Sequence, residues 1–350
     1  MIEIDGSYGE GGGQLLRYSV ALAALLGKDL HVFNIRAKRS NPGLRRQHLT
    51  AIKIIAELVD GRVEGLEVGS KEIYFYPGGR PKGGKYSFDI GTAGSISLLL
   101  QAVLPVMLAA EKPIELRLTG GTVVRWSPPT LYLEHVLLPL LRLFGVDAYI
   151  KTIRHGFYPR GGGIVEVRTL PSYPLKSINL GLYTNIEKIN GISYVGNLPV
   201  HIAERQARSA KEVLENAGYG KFLDKIFIDT RTPAIDRGSC IVLWAVTNVG
   251  ILGGDAIGER GKPAEKVGRE AATFLVEMLK SNTAVDLHAL DNIIIYMSLA
   301  KGVSRVMAKQ LTSHAKTAID ICSTITGANI KVIDRGKYIE IVSEGIGFMP

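Results

Sequence analysis

One order of predicted elements recurs along the chain: a strand, a glycine-rich turn, a helix and a further strand. The strand Lys28–Ile35 precedes a helix over Gln47–Val59, and the strand Tyr86–Ile90 precedes a helix over Ser95–Leu108. The same order returns over residues 305–342. Alternation of this kind requires sheets that helices cover on one face. The order recurs without a sharp repeat of the residues themselves, and it predicts an α+β fold with internal triplication.

A shift in composition marks a middle portion, residues 185–281. It holds a long polar helix over Ala203–Ala217 and a loop rich in glycine and charge over Gly253–Lys262. We predict that this portion is a small inserted domain. Residues 1–184 and 282–350 would then form one large domain, which the chain leaves and re-enters.

Charge gives the first indication of a partner. The chain of 350 residues carries a formal net charge of +9. Long-range attraction and counterion release bias a basic protein toward polyanions such as nucleic acid. Many basic proteins bind nothing acidic, so charge predicts a class of partner and no reaction. Hydrophobic residues make up 46% of the chain, which excludes a largely disordered protein.

Apolar runs and cysteines limit the compartment. The longest apolar run, Ile96–Ala110, is interrupted by Gln101 and Pro105, and it is shorter than the roughly 20 residues that span a bilayer. No targeting segment is visible, so we expect no membrane association. Cys240 and Cys322 cannot build a disulfide framework or, alone, a zinc site. A reducing, cytoplasmic setting is therefore the expectation.

The segment Gly9–Arg17, GEGGGQLLR, places four glycines beside a carboxylate and leads into an apolar helix. Glycine lets backbone amides approach an anion, and a helix N-terminus adds a partial positive charge. Glu10, Gln14 and Arg17 could then face a ligand. A plain tight turn is the alternative, since the segment does not match the dinucleotide fingerprint.

The densest basic segment is Arg36–His48, RAKRSNPGLRRQH. Arginine side chains suit phosphate recognition, and a turn at Asn41–Gly43 would bring the two halves of the segment together. A solvated charged face is the alternative. Five cations surround one turn, and Gln47 and His48 follow at a helix start. With these residues, phosphate binding is as well supported as the solvated face. The five cations are Arg36, Lys38, Arg39, Arg45 and Arg46.

A third glycine-rich segment, Gly78–Tyr86, nearly matches a Walker A loop. Tyr86 replaces the metal-binding Ser or Thr, and a strand follows where a helix is required. We predict a hairpin loop here.

Among the seven histidines, His314 lies where Thr312 or Ser313 can cap a following helix. A helix N-terminus disfavours imidazolium, which keeps the ring neutral and nucleophilic, and it attracts phosphate. A nucleophile is one interpretation, and an ordinary polar residue is the other. The segment His288–Asn292 offers a carboxylate and an amide that could orient such a ring or hold a ligand. It lacks the paired ligands of a metal site.

Taken together, these motifs resemble the RNA 3′-terminal phosphate cyclase family over essentially the whole chain. The resemblance implies a large domain of three repeated units, each a four-stranded sheet with two helices. Such units are similar to the C-terminal domain of a bacterial translation initiation factor and to the repeats of EPSP synthase. A small inserted α/β domain is implied at the place predicted above. The matching stretches are GEGGGQLLR, IRAKRSNPGLRRQHLTA, DIGTAGSISLLLQ, GGT, GFYPRGGG, PAEKVG, HALDN and SHAKTAID.

The resemblance also implies a three-step, ligase-type reaction with ATP and a divalent metal, Mg²⁺ or Mn²⁺. A histidine attacks the α-phosphate of ATP and becomes adenylylated. The AMP then passes to an RNA 3′-phosphate, and the neighbouring 2′-hydroxyl closes a 2′,3′-cyclic phosphate as AMP leaves. Adenylylation makes chemical sense because a terminal phosphate lacks a good leaving group.

Residue roles follow from the same resemblance. His314 falls on the nucleophile, and Asp291 could orient it or contact the nucleotide. Bacterial members have glutamine where this chain has Asn292, so the contact made by this shorter amide is open. The ATP-binding positions are Gln101, His288, Ala289, Leu290, Asp291 and Asn292. The pocket for the phosphate and the RNA end comprises Glu10, Gln14, Arg17, Arg36, Arg39, Arg46, Gln47 and His48.

Three alternatives remain at this point. Cyclase-like proteins of the same fold act in ribosome assembly and rRNA processing without catalysis, but they lack the nucleophilic histidine, which His314 supplies here. Enolpyruvyl transferases share the architecture but are longer, with two matched halves. RNA binding without chemistry fits the charge but leaves His314 and the ATP motifs unexplained.

Overall fold

Four four-stranded sheets make up the strand framework of the computed structural model, which describes residues 1–350. The first sheet has the order β1-β2-β4-β3, in which β1 and β2 are parallel and the other neighbours antiparallel. Its two helices follow β1 and β2. The elements are β1 Ile2–Asp5, α1 Gly13–Leu26, β2 Leu30–Phe33, α2 Arg46–Leu58, β3 Arg62–Glu64 and β4 Ile73–Tyr76.

The second sheet, β5-β6-β8-β7, has the same order and the same pairing directions. Its second helix runs from α4 through one turn of π-helix, Leu133–Leu137, into α5. The elements are β5 Gly84–Asp89, α3 Ile96–Met107, β6 Ile114–Gly120, α4 Thr130–Tyr132, α5 Leu138–Leu143, β7 Ala148–Arg154 and β8 Gly163–Thr169.

The chain next forms the short strand β9, Asn179–Leu180, and then builds the fourth sheet before it returns to β9. This fourth sheet has a different order, β11-β10-β12-β13. Its elements are β10 Ile186–Gly196, α6 His201–Asn216, a 3₁₀ turn at Gly220–Phe222, β11 Leu223–Asp229, β12 Gly238–Thr247, β13 Ile251–Ile257 and α7 Ala264–Leu279.

The third sheet is completed after that excursion. Its strands β9 and β14 pair in parallel, and β16 joins β14 and β15 antiparallel, so the order β9-β14-β16-β15 matches the first two sheets. The elements are α8 Leu287–Leu299, β14 Lys301–Ala308, α9 Ser313–Thr326, β15 Asn329–Asp334 and β16 Ile339–Ile346.

Burial alternates along the strands and so divides each sheet into an inner and an outer face. In β6, Ile114, Leu116 and Leu118 are buried, while Glu115 and Arg117 face solvent. The helices α1, α2, α3, α8 and α9 pack on one another between the sheets. One cluster of 81 buried residues fills this space, and a second cluster of 17 lies between the fourth sheet and α6 and α7.

Two local predictions are wrong. Residues 251–257 form strand β13, although Gly253–Lys262 reads as a loop. Gly253 and Gly254 are glycines because of close packing, since a Cβ would lie 2.5 Å from the Tyr132 ring or from the Ala271 carbonyl oxygen. The segment Gly78–Tyr86 is not a hairpin, because it connects β4 of the first sheet to β5 of the second.

Cys240 and Cys322 are both free and buried. As for membranes, none of the helices combines the length and the apolar character that a transmembrane span requires.

Candidate active site

A cleft of about 980 Å³ opens where the N-termini of α1, α2, α3 and α9 meet, beside the edge strand β13. It brings together residues that are far apart in the sequence and includes most of the predicted site. The predicted residues that line it are Glu10, Gln14, Arg17, Arg36, Arg39, Arg46, Gln47, His48, Gln101, His288, Asp291, Asn292 and His314.

Two predicted residues do not reach the cleft. Ala289 and Leu290 are fully buried in α8 and belong to the main core. The helix repeat turns them away from the face that carries His288, Asp291 and Asn292.

The glycine-rich turn sets the start of α1 against the basic segment. Gly12 caps the helix with an extended backbone, and no acidic residue occupies the first turn. A Cβ on Gly13 would overlap Nε2 of His48, so the close approach of α1 and α2 requires glycine here. The N–H groups of this first turn have no partner within the helix and can bind an anion.

His314 lies in the first turn of α9, where Thr312 caps the helix by accepting the backbone N–H of Ala315 at 2.8 Å. Half of its side chain is exposed, and its Nε2 lies 3.9 Å from Oε2 of Glu10. Burial lowers the pKa of His314, and Arg17 and Arg39 add to this, while Glu10 opposes it. The ring is therefore neutral at pH 7 and carries a free lone pair.

Glu10 connects the glycine-rich turn to α9. Its carboxylate accepts a hydrogen bond from the Ser313 hydroxyl and lies 3.4 Å from the guanidinium of Arg39. The Ser313 bond, together with His314 and Arg39, lowers the pKa of Glu10. An ionised carboxylate thus lies among the arginines that line the cleft.

Asp291 joins three helices. Its carboxylate accepts the hydroxyl of Thr312, and its backbone carbonyl accepts from the Tyr18 hydroxyl at 2.7 Å and from the Gln14 amide at 3.3 Å. Burial raises the pKa of Asp291 to about 7. The carboxylate holds the cap of α9, so its effect on the orientation of His314 runs through Thr312.

Arg17 and Gln101 link α1 to α3, since Nη2 of Arg17 donates to Oε1 of Gln101 at 2.8 Å. Arg17 is buried, which lowers its pKa to about 10 and leaves it protonated at pH 7. Its Nε and the Oε1 of Gln14 are buried without a partner. Buried polar atoms of this kind normally have partners, so these two are candidates for ligand contacts.

The basic segment folds into the turn expected at Asn41–Gly43. Arg36, at φ +55°, donates to the carbonyl oxygens of Asn41 at 2.6 Å and Gly43 at 3.0 Å. Lys38 turns away and donates to the Gly9 carbonyl at 3.0 Å. Arg45 lines the cleft with the other arginines, although it lies outside the predicted set.

Gln47 and His48 have structural contacts beside their place in the cleft. Oε1 of Gln47 accepts the N–H of Ser95 at 2.9 Å, at the start of α3, and Nδ1 of His48 accepts the N–H of Arg45 at 3.2 Å. Burial and the neighbouring arginines lower the pKa of His48 to about 3. This ring is neutral and serves as a fixed part of the wall.

His288 is held between aromatic rings at the N-terminus of α8. Its ring stacks on Phe274 at 5.3 Å and meets Tyr132 edge-on at 6.0 Å. The Asn292 amide donates to the His288 carbonyl at 2.7 Å, so one end of this side chain is used within the helix.

Part of the lining was missed by sequence reasoning. Strand β13, the loop that follows it and α7 supply Asp255, Lys262 and Glu270, respectively. Burial raises the pKa of Asp255 to about 6. The loop after the GGT motif supplies Trp126 and Pro128. Two signals were available: the GGT motif precedes Trp126 and Pro128, and the PAEKVG stretch lies between Lys262 and Glu270. Asp255 had no such signal, because its strand was predicted to be a loop.

For a metal, the structure offers no group of three or more His, Cys, Asp or Glu side chains placed to hold an ion. A magnesium ion that arrives with a triphosphate is bound mainly by phosphate oxygens and needs only one or two carboxylates. Glu10, beside His314, is a carboxylate of that kind.

Comparison with known proteins agrees with the motifs. A model of the RNA 3′-terminal phosphate cyclase family matches residues 8–332. A protein of that name from Pyrobaculum aerophilum is 46% identical over 349 residues, 99% of each chain. One from Hyperthermus butylicus is 49% identical over 97% of this chain and 96% of its own. One from Nitrosospira multiformis is 45% identical over the same shares. The chain therefore belongs to the RNA 3′-terminal phosphate cyclases, a family of ATP-dependent enzymes.

Proposed function

We propose that this protein uses ATP to convert an RNA 3′-terminal phosphate into a 2′,3′-cyclic phosphodiester through a histidine–AMP intermediate. The observation that carries the proposal is the position of His314. It is a neutral, half-exposed imidazole at a helix N-terminus, in a cleft whose wall holds four arginines of the basic segment.

In the first step, the lone pair of an imidazole nitrogen of His314 attacks the α-phosphorus of ATP. A P–N bond forms, the bond to the bridging oxygen breaks, and pyrophosphate leaves. The N–H groups at the start of α9 favour the negative charge that builds up on the phosphorus oxygens. Burial keeps the pKa of His314 low, which supports its role as nucleophile.

In the second and third steps, an oxygen of the RNA 3′-phosphate displaces His314 from AMP and forms a diphosphate. The vicinal 2′-hydroxyl then attacks the RNA phosphorus, and AMP leaves. The 2′-hydroxyl is also what distinguishes RNA from DNA at such an end.

The side chains divide into two groups in this proposal. The group toward α8 binds ATP and comprises Gln101, His288, Asp291 and Asn292, with Ala289 and Leu290 holding the backbone of that segment. The group on the glycine-rich turn and the basic segment binds the phosphates of the RNA end and comprises Glu10, Gln14, Arg17, Arg36, Arg39, Arg46, Gln47 and His48. The Mg²⁺ or Mn²⁺ ion would neutralise the triphosphate and the pyrophosphate.

We further propose that the three sheets of like order are repeats of one unit and that residues 185–281 are an insertion. The position of the fourth sheet, between β9 and α8, and its different strand order support this. Free, buried cysteines are compatible with a cytoplasmic location.

Labelling with ATP that carries ³²P at the α-position tests the proposal. With Mg²⁺, the wild-type protein becomes labelled through an acid-labile bond, and His314→Ala does not. His201→Ala is the matched control, because His201 also begins a helix but lies outside the cleft. Equal labelling of His314→Ala and wild type would refute His314 as nucleophile. Label without cyclisation of a 3′-phosphorylated RNA would refute the reaction.

A further inference from the structure

Trp126 stands out among the large hydrophobic side chains, because it is 93% exposed. It lines the same cleft as the arginines of the basic segment. The second tryptophan, Trp244, stacks on His135 with ring centroids 4.5 Å apart. An exposed indole offers a large, rigid apolar face, and rings of this kind are enriched where proteins bind partners.

The backbone conformation at Trp126 is unusual for a large side chain. Trp126 has φ +62°, in the left-handed region that side chains other than glycine rarely adopt. The turn is held on both sides of it. Arg125 makes two hydrogen bonds to Glu259, at 2.7 and 2.5 Å, and the Ser127 hydroxyl donates to the Val124 carbonyl at 3.1 Å. Strain that the surroundings maintain is typical of functional positions.

Proteins that bind single-stranded RNA commonly combine a basic groove with an exposed aromatic ring. A basic groove follows the phosphates, and an exposed aromatic ring stacks on a base, in a way that tolerates any sequence. In this cleft, Arg36, Arg39, Arg45 and Arg46 supply the charge.

We propose that Trp126 is a stacking platform for a base of the RNA near its 3′-phosphate. This inference rests on the proposed function and assigns the strand a path over the rim of the cleft. The adenine of ATP is the competing occupant. RNA is favoured because an almost fully exposed ring suits a strand that continues into solvent, and because the α8 side of the cleft already has the ring of His288.

Steady-state and single-step kinetics separate the two occupants. For a 3′-phosphorylated oligoadenylate, Trp126→Ala should raise KM by about 5- to 150-fold, the range expected for loss of one stacked base. It should reduce transfer to RNA much more than self-adenylylation. Trp126→Phe should recover most of the affinity, and Trp126→Leu, which is apolar but cannot stack, should not.

Binding can be followed without ATP. In a Trp244→Phe background, Trp126 is the single tryptophan, and its fluorescence should be quenched by the oligonucleotide but much less by an abasic strand of the same length with a 3′-phosphate. Equal KM values for Trp126→Leu and Trp126→Phe, or equal quenching by both strands, would overturn the inference. A matching loss of self-adenylylation in Trp126→Ala would assign the ring to ATP. Wild-type protein that binds and quenches but never cyclises RNA would refute the proposed function while leaving the platform intact.

Discussion

Replacing Thr312 with valine tests the contacts that hold the proposed nucleophile. The Thr312 hydroxyl donates to the buried Asp291 carboxylate and accepts the N–H of Ala315 at 2.8 Å. Valine has nearly the same shape and removes both bonds. Loss of the helix cap costs about 1 kcal/mol. An unpaired buried carboxylate oxygen costs about 1–3 kcal/mol. We therefore expect the free energy of unfolding to fall by about 2–4 kcal/mol.

Catalysis should fall as well, because the first turn of α9 would fray and displace His314. A shift of about 1 Å in a reacting group can reduce a rate about 100-fold. We expect the rate of self-adenylylation in Thr312→Val to drop by about 10- to 100-fold. Urea unfolding followed by circular dichroism gives the first quantity, and a single-turnover labelling assay gives the second.

Two further variants make the result specific. Thr312→Ser keeps the hydroxyl and should restore both stability and rate. Thr317→Val, in the same helix, removes only a bond to the Ser313 carbonyl and should cost about 1 kcal/mol. If Thr312→Val were no less stable than Thr317→Val and adenylylated at the wild-type rate, the cap would not hold the nucleophile.

Three other outcomes are expected. Arg39→Ala should reduce transfer to RNA more than self-adenylylation, and an equal loss in both assays would place Arg39 with ATP. Burial raises the pKa of Asp291 from 3.8 to about 7, so folding favours its neutral form. The contribution of this group to the free energy of unfolding is therefore complete below pH 3.8 and is lost as pH rises to 7. Between pH 4 and 7, the free energy of unfolding of Asp291→Asn in urea should therefore rise relative to that of wild type as pH increases. A difference between the two proteins that does not depend on pH would contradict this. Gly13→Ala should displace the His48 ring and lower thermal stability and cyclisation, whereas Gly79→Ala, with open space at its Cβ, should change neither.

Elements with clear periodicity could be predicted from the sequence, because their pattern reflects burial on one face. The helix predicted over Gln47–Val59 is observed at Arg46–Leu58, and the helix predicted over Ser95–Leu108 is observed at Ile96–Met107. Strand β13 could not be predicted, because Gly253 and Gly254 weaken a strand pattern and their reason lies in distant partners, Tyr132 and Ala271.

In the site, too, local features could be predicted from the sequence, whereas contacts between distant residues could not. Motifs identified the residues that line the cleft, but not how they are tied to one another. The bond from Thr312 to Asp291 spans 21 positions and the bond from Arg17 to Gln101 spans 84. No local pattern encodes such pairs, since they depend on how α1, α3, α8 and α9 pack.

Asp286 shows that the fourth sheet is a fixed wall of the cleft. This fully buried carboxylate caps α8, where it accepts the N–H groups of His288 and Ala289 at 2.9 and 3.0 Å. It also accepts the Tyr132 hydroxyl from α4 and the Gly253 N–H from β13, both at 2.7 Å. Moving the fourth sheet away would strip a buried carboxylate of a donor, which costs more than an ordinary hydrogen bond. The start of the proposed ATP segment is thus held by the same carboxylate that attaches β13, so a shift of the fourth sheet would disturb both.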